Sequence, residues 1–134
     1  MSEGSKEQLG DYMKSPVTSI DSKESVNSAA KLMEAESASA ILIKVDGEFT
    51  GIVTERDFTR KVVGAGLSID TPVSEIMNVP IYTMDKHQHV LQGIEFMTDN
   101  NTRHLTITDS GNIVGIITVK DTFSYYMRVF GLEE

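Results

Sequence analysis

Apolar and polar positions along the chain change period several times, and the changes mark out elements. Leu9–Met13 carries an apolar tip suited to one helical turn, and Ser15-Pro16-Val17-Thr18 is extended because Pro16 biases Ser15 away from helix. Val26, Ala29, Ala30 and Met33 fall at helical spacing, predicting a helix over 25–36. Ala38 to Val45 is rich in β-branched residues and reads as a strand, Asp46-Gly47 as a tight turn, and Phe49 to Val53 as the return strand. A helix is predicted from Thr54 to about Val63, ending at Gly64, with 64–68 as a connector. The order then repeats. A short helical approach over 73–77 leads to an extended piece over 80–84 and a helix over 89–100 with Val90, Ile94 and Met97 inward. Strands over 103–108 and 113–117 flank a turn at Asp109-Ser110-Gly111-Asn112, and a last helix opens at Thr118. Its stripe of Phe123, Tyr126, Met127 and Phe130 reads as core or dimer contact.

The repetition has a fixed period. Sliding the chain by 64 residues aligns 13–57 with 77–121 without a gap, and eleven of the 45 pairs are identical. About three would be expected by chance. The identities include Met13/Met77, Pro16/Pro80, Gly47/Gly111, Gly51/Gly115, Ile52/Ile116, Thr54/Thr118 and Asp57/Asp121. The expected fold is therefore α+β: two β-α-β-β-α repeats, over 9–66 and 73–130, related by a pseudo-two-fold axis with their sheets packed together. A three-stranded sheet with its helices on one face leaves an open side that a second copy can bury. Residues 1–8 are polar and are expected to form a flexible tail.

Composition narrows the function. The 134-residue chain contains no cysteine, which excludes disulfides, thiol catalysis and zinc–thiolate sites and fits a reducing, cytoplasmic setting. No run is apolar enough to span a bilayer, and the polar start is not a signal peptide. A net charge of −8 argues against nucleic acid, which needs a basic surface. His87 and His89 follow Asp85 like two metal ligands, but no third ligand is evident and they read as solvated surface, as do Glu34, Glu36, Glu133 and Glu134. No serine sits in a nucleophile elbow and no carboxylate pair shares an obvious pocket, so no enzyme activity is expected.

The candidate chemistry lies in Gly51-Ile-Val-Thr-Glu-Arg-Asp57 and its second copy, Gly115-Ile-Ile-Thr-Val-Lys-Asp121. Each reads as a buried strand ending at a helix start, with Thr54 or Thr118 at the N-cap and Asp57 or Asp121 three residues on. A helix start favours a phosphate, and a carboxylate beside it can accept hydrogen bonds from sugar hydroxyls. The same spacing also describes a plain capping box.

The pattern Met13-x-x-Pro16-Val17-Thr18, a helix, a strand, an Asp-Gly turn and Gly51-Ile-Val-Thr-Glu-Arg-Asp57 resembles the CBS domain, named for cystathionine β-synthase. Arg103-His104-Leu105-Thr106-Ile107 resembles the family's Arg-His-Leu-Pro-Val stretch, with Thr106 where proline is usual. The resemblance covers about residues 9 to 128 in two copies. It implies a free-standing tandem pair that binds AMP, ADP, ATP or S-adenosylmethionine between its repeats, signals to an unidentified partner by conformational shift, and forms a homodimer, with no cofactor and no metal. It implies that Asp57 and Asp121 hold ribose hydroxyls and that Thr54 and Thr118 face phosphate. One cleft would join Thr54 and Asp57 to Ile81, Tyr82, Arg103 and His104; the other would join Thr118 and Asp121 to Val17, Thr18, Ser39 and Ala40, with Lys120 supplying charge. Arg103 and His104 lead us to expect the charged nucleotide in the Asp57 cleft. The alternative is a structural dimerisation module with vestigial clefts.

Overall fold

The computed structural model describes residues Lys6–Gly131. Residues 1–5 of the expected tail, and Glu133 and Glu134, lie outside the described residues. Two repeats are present, each with a three-stranded sheet and helices. The first contains β1 (Ser19–Asp21), α1 (Val26–Glu36), β2 (Ala40–Val45), β3 (Glu48–Thr54) and α2 (Glu55–Asp57), which continues as a π-helical stretch, Phe58–Val63. The second contains β4 (Thr83–Asp85), α3 (Val90–Asp99), β5 (His104–Asp109), β6 (Asn112–Thr118) and α4 (Val119–Val129). The first strand of each sheet pairs parallel with the second, and the second pairs antiparallel with the third. Both hairpins slip register at the same repeat position, between Ile43 and Lys44 and between Ile107 and Thr108.

The compact units cut across the 64-residue period. One is Thr18–Ile81; the other joins the residues through Val17 to those from Tyr82 onward. In the latter, the lead-in docks through its backbone: Val90 N donates to Glu7 O (2.8 Å), Leu9 N to Gln88 O (2.8 Å) and Gly10 N to Lys86 O (2.8 Å). In the former, the same ladder recurs 64 residues later, as Val26 N to Thr71 O (2.8 Å), Val73 N to Glu24 O (2.7 Å) and Ser74 N to Ser22 O (3.1 Å). Short 3₁₀ turns, Leu9–Asp11 and Val73–Glu75, follow and plug each core with a fully buried Leu9 or Val73. Full burial of such a side chain contributes about 2 kcal/mol.

In the Thr18–Ile81 unit the core comprises Val26, Ala29 and Met33 of α1, Ile41, Ile43 and Val53 of the sheet, Val62, Val73 and Ile76. The other unit's core is Leu9, Met97, Leu105, Ile107 and Ile117, flanked by Tyr12, Met13, Met84, Phe96 and Val114. Alternate strand positions supply these side chains, as the period of two demands. Thr106, on the opposite face of β5 from Leu105 and Ile107, is buried, and its Oγ1 has no hydrogen-bond partner among the described residues.

Of the two expectations for the α4 stripe, core or dimer contact, its exposure excludes the first for most of its residues. Thr122 and Tyr125 are buried, whereas Phe123, Met127 and Phe130 are exposed. Tyr125 meets Tyr12 edge-on (6.0 Å between centroids) and His89 likewise (5.8 Å), so rings with polar tips occupy the inward face.

Candidate functional site

Each candidate site begins at a glycine. A Cβ on Gly51 would lie 2.7 Å from Met77 Sδ and 3.1 Å from Asn78 O; one on Gly115 would lie 2.6 Å from Met13 Sδ and 2.9 Å from Lys14 O. The missing side chain lets an extended segment close onto the strand. Asn78 and Ile52 exchange two backbone hydrogen bonds (2.8 and 3.0 Å), and Lys14 and Ile116 do the same (2.8 and 3.0 Å). These bridges place Asn78 and Lys14, which are 64 residues apart, beside Asp57 and Asp121 respectively.

Both strands then turn into a helix through the predicted Thr–Asp pair. Thr54 N donates to Asp57 Oδ2 (2.8 Å), as Thr118 N does to Asp121 Oδ2 (2.9 Å). The threonine hydroxyls donate to the same oxygens, at 3.3 and 3.0 Å, and Asp121 N donates back to Thr118 Oγ1 (3.2 Å). The first helical amide is used too: Glu55 N donates to Ser39 O and Val119 N to Arg103 O, both at 3.1 Å. The capping box is therefore real in both copies.

Beyond that box the corners differ. Asp57 is buried, at 6% exposure. Its Oδ2 also accepts from Asn78 Nδ2 (2.8 Å), and its Oδ1 pairs with Lys61 Nζ (3.1 Å). Lys61 Nζ donates further to Ile76 O (2.9 Å) and Asn78 Oδ1 (2.8 Å). Asp121, its side chain 11% exposed, has one further contact among the described residues: Oδ1 faces Lys14 Nζ at 3.7 Å, and the Lys14 side chain is 71% exposed.

The remaining residues singled out in the sequence divide between the units. Thr54, Asp57, Thr18, Ser39, Ala40 and Ile81 belong to one; Thr118, Asp121, Lys120, Val17, Tyr82, Arg103 and His104 belong to the other. Ala40 pairs in register with Thr54, and His104 with Thr118, so each lies on the same sheet face as its threonine. Thr18 O accepts from Leu42 N (2.9 Å) and Tyr82 O from Thr106 N (3.2 Å). Tyr82 is exposed and meets Phe96 edge-on at 5.5 Å. Val17 and Ile81 are half-buried, and Lys120 is exposed on the first turn of α4. Sequence reasoning missed Lys61 and Asn78. A lysine four residues after Asp57 was the available signal for the first; nothing local points to the second.

His87 and His89 have separate tasks. His87 N and Nδ1 both bond Asp85 Oδ2 (2.9 and 2.8 Å), whereas His89 Nδ1 accepts from Leu91 N (3.0 Å) and caps α3. The hydrogen bond from the His87 backbone, with the one from its ring, holds the Asp85 carboxyl below the ordinary carboxylate range. Asp85, His87 and Asp109 place one ligand-type atom each within 4.8 Å of one another, but Asp109 Oδ2 is already paired with Lys86 Nζ (3.0 Å). Among the described residues no helix is long and apolar enough to cross a membrane.

Paired β-α-β-β-α repeats, each ending a strand in a Thr–Asp corner, define a tandem of one small domain type. Residues 9–64 and 73–128 each match the CBS domain, and the chain belongs to that family. It is 28% identical over 111 residues to the CBS domain-containing protein YhcV of Bacillus subtilis, covering 83% of this chain and 79% of that one. It spans 55% and 61% of the length of two other curated relatives. Among solved structures it is similar to a putative signal-transduction protein with CBS domains from Burkholderia ambifaria, at 31% identity and a TM-score of 0.80, covering 84% of this chain and 83% of that one. The CBS domain protein PAE2072 from Pyrobaculum aerophilum, solved in complex with AMP, shares the fold at 21% identity and a TM-score of 0.81, covering 93% of this chain and 97% of that one.

Proposed function

We propose that this chain is a regulatory module, not an enzyme, that binds an adenosine ligand (AMP, ADP, ATP or S-adenosylmethionine) at a Thr–Asp corner. The observation that carries the reading is the state of Asp121. Its Oδ2 is fixed by the amide and hydroxyl of Thr118, which orients the carboxylate, while among the described residues its Oδ1 meets only the exposed Lys14 at 3.7 Å. A carboxylate held in that way accepts hydrogen bonds from a vicinal diol without reorganising. Lys14 and Lys120, beside the start of α4, supply positive charge for a phosphate against the chain's net −8. The adenosine identity comes from family membership. Signalling follows if the ligand favours one conformation that a partner protein reads.

The test is a thermal-shift panel. AMP, ATP or S-adenosylmethionine at a hundred times its Kd adds about 2.7 kcal/mol of stability. A raised midpoint with at least one of them, and none with GMP, is expected. No shift with any of the three contradicts the reading. The second reading, a structural module with idle corners, is favoured by one observation: the internal use of both Asp57 oxygens.

We further propose that the chain forms a homodimer. The exposed apolar face of α4, with Val119, Phe123, Met127 and Phe130, supports self-association. Sedimentation is expected to show a dimer that Phe123→Glu with Phe130→Glu converts to monomer. A wild-type monomer at every concentration contradicts this.

A further inference from the structure

We propose that Lys61 and Asn78 close the Asp57 corner, so that the Asp121 corner alone takes the adenosine ligand and Lys61 is the residue that limits the chain to a single site. This rests on the adenosine reading above and assigns its stoichiometry. It inverts the ranking that Arg103 and His104 suggest from sequence.

Acceptor capacity decides the matter. A carboxylate oxygen has two lone pairs, and a ribose diol needs an open one on each oxygen or two on one. Asp57 Oδ2 already takes three donors: Thr54 N, Thr54 Oγ1 and Asn78 Nδ2. Asp57 Oδ1 is held by an ammonium whose three hydrogens match three acceptors: Asp57 Oδ1 (3.1 Å), Asn78 Oδ1 (2.8 Å) and Ile76 O (2.9 Å). The Asn78 amide fits this ring in one orientation only, oxygen to the ammonium and nitrogen to the carboxylate. A sugar entering here must break a closed, charge-assisted network and leave Lys61 short of acceptors.

The repeat mates remove each part of that network. Position 61 corresponds to Tyr125, which packs on Tyr12 and His89. Position 78 corresponds to Lys14, a solvent-exposed side chain free to swing from Asp121 towards a phosphate. The helices differ as well: residues 58–63 are π-helical, with Gly64 N donating to Thr59 O (2.8 Å), whereas α4 is α-helical throughout. π turns inside helices recur at specialised sites.

Calorimetric titration of AMP, ATP and S-adenosylmethionine into the full chain tests this. Wild type is expected to bind one ligand per chain, and Asp121→Asn to weaken it at least about tenfold. Lys61→Met, which removes the ammonium, with Asn78→Lys, which copies Lys14 of the second corner, is expected to gain a second site, lost again when Asp57→Asn is added. Two sites per wild-type chain, or full affinity in Asp121→Asn, overturns the inference while leaving the adenosine reading intact. A folded Lys61→Met/Asn78→Lys variant that still binds a single ligand also overturns it. If wild type binds none of the three, the adenosine reading itself fails.

Discussion

Asp57→Ala is expected to cost about 3 kcal/mol of folding stability, and Asp121→Ala only about 1 kcal/mol, measured by denaturant unfolding. Both substitutions remove a helix cap worth about 1 kcal/mol. The first also strips Asn78 Nδ2 and the partly exposed Lys61 of a buried charged acceptor, and hydrogen bonds to charged groups are worth about 1.5–3 kcal/mol. Lys61 is 40% exposed, so the ion pair itself contributes under about 1 kcal/mol after solvent screening. Most of the excess comes from the part-buried hydrogen bond that Asn78 donates to the Asp57 carboxylate. Equal losses at the two aspartates would show that the network around Asp57 does not form.

Gly115→Ala is expected to destabilise the chain by about 2 kcal/mol, within the range for overpacking a tight contact. The new methyl would lie 2.9 Å from a backbone oxygen, Lys14 O, which cannot move without breaking the pair of bonds between Lys14 and Ile116. Met13 Sδ, at 2.6 Å, can swing aside and does not decide the outcome. The loss should come with weaker ligand binding, because the same bridge holds Lys14 beside Asp121. Stability within about 0.5 kcal/mol of wild type, by the same unfolding measurement, would contradict the close approach.

Much of this was legible in the sequence. The 64-residue period, the Asp46-Gly47 hairpin and the two Thr–Asp corners follow from local pattern, because turn residues, β-branched runs and capping boxes act over a few residues. The Thr54 helix stands where it was expected, and most of it is π-helical. A π register leaves no local mark, since it is set by which carbonyl each amide finds. The grouping of the lead-in residues 7–14 with the second repeat, and of 71–78 with the first, was illegible for a related reason: a period of 64 does not say which copy's sheet a segment joins. Asn78 could not be placed beside Asp57 without that knowledge. Apolar content alone left the α4 stripe open between core and dimer contact; its exposure follows because Tyr125, packed on Tyr12 and His89, takes the inward face.

Amide chemical shifts of the labelled chain, followed during titration with AMP, test the central claim most directly. Saturable shifts at Thr118, Val119 and Asp121, with Lys14 moving at the same concentrations, are the predicted result. An unchanged Thr118–Asp121 corner at saturating AMP, ATP and S-adenosylmethionine would contradict it.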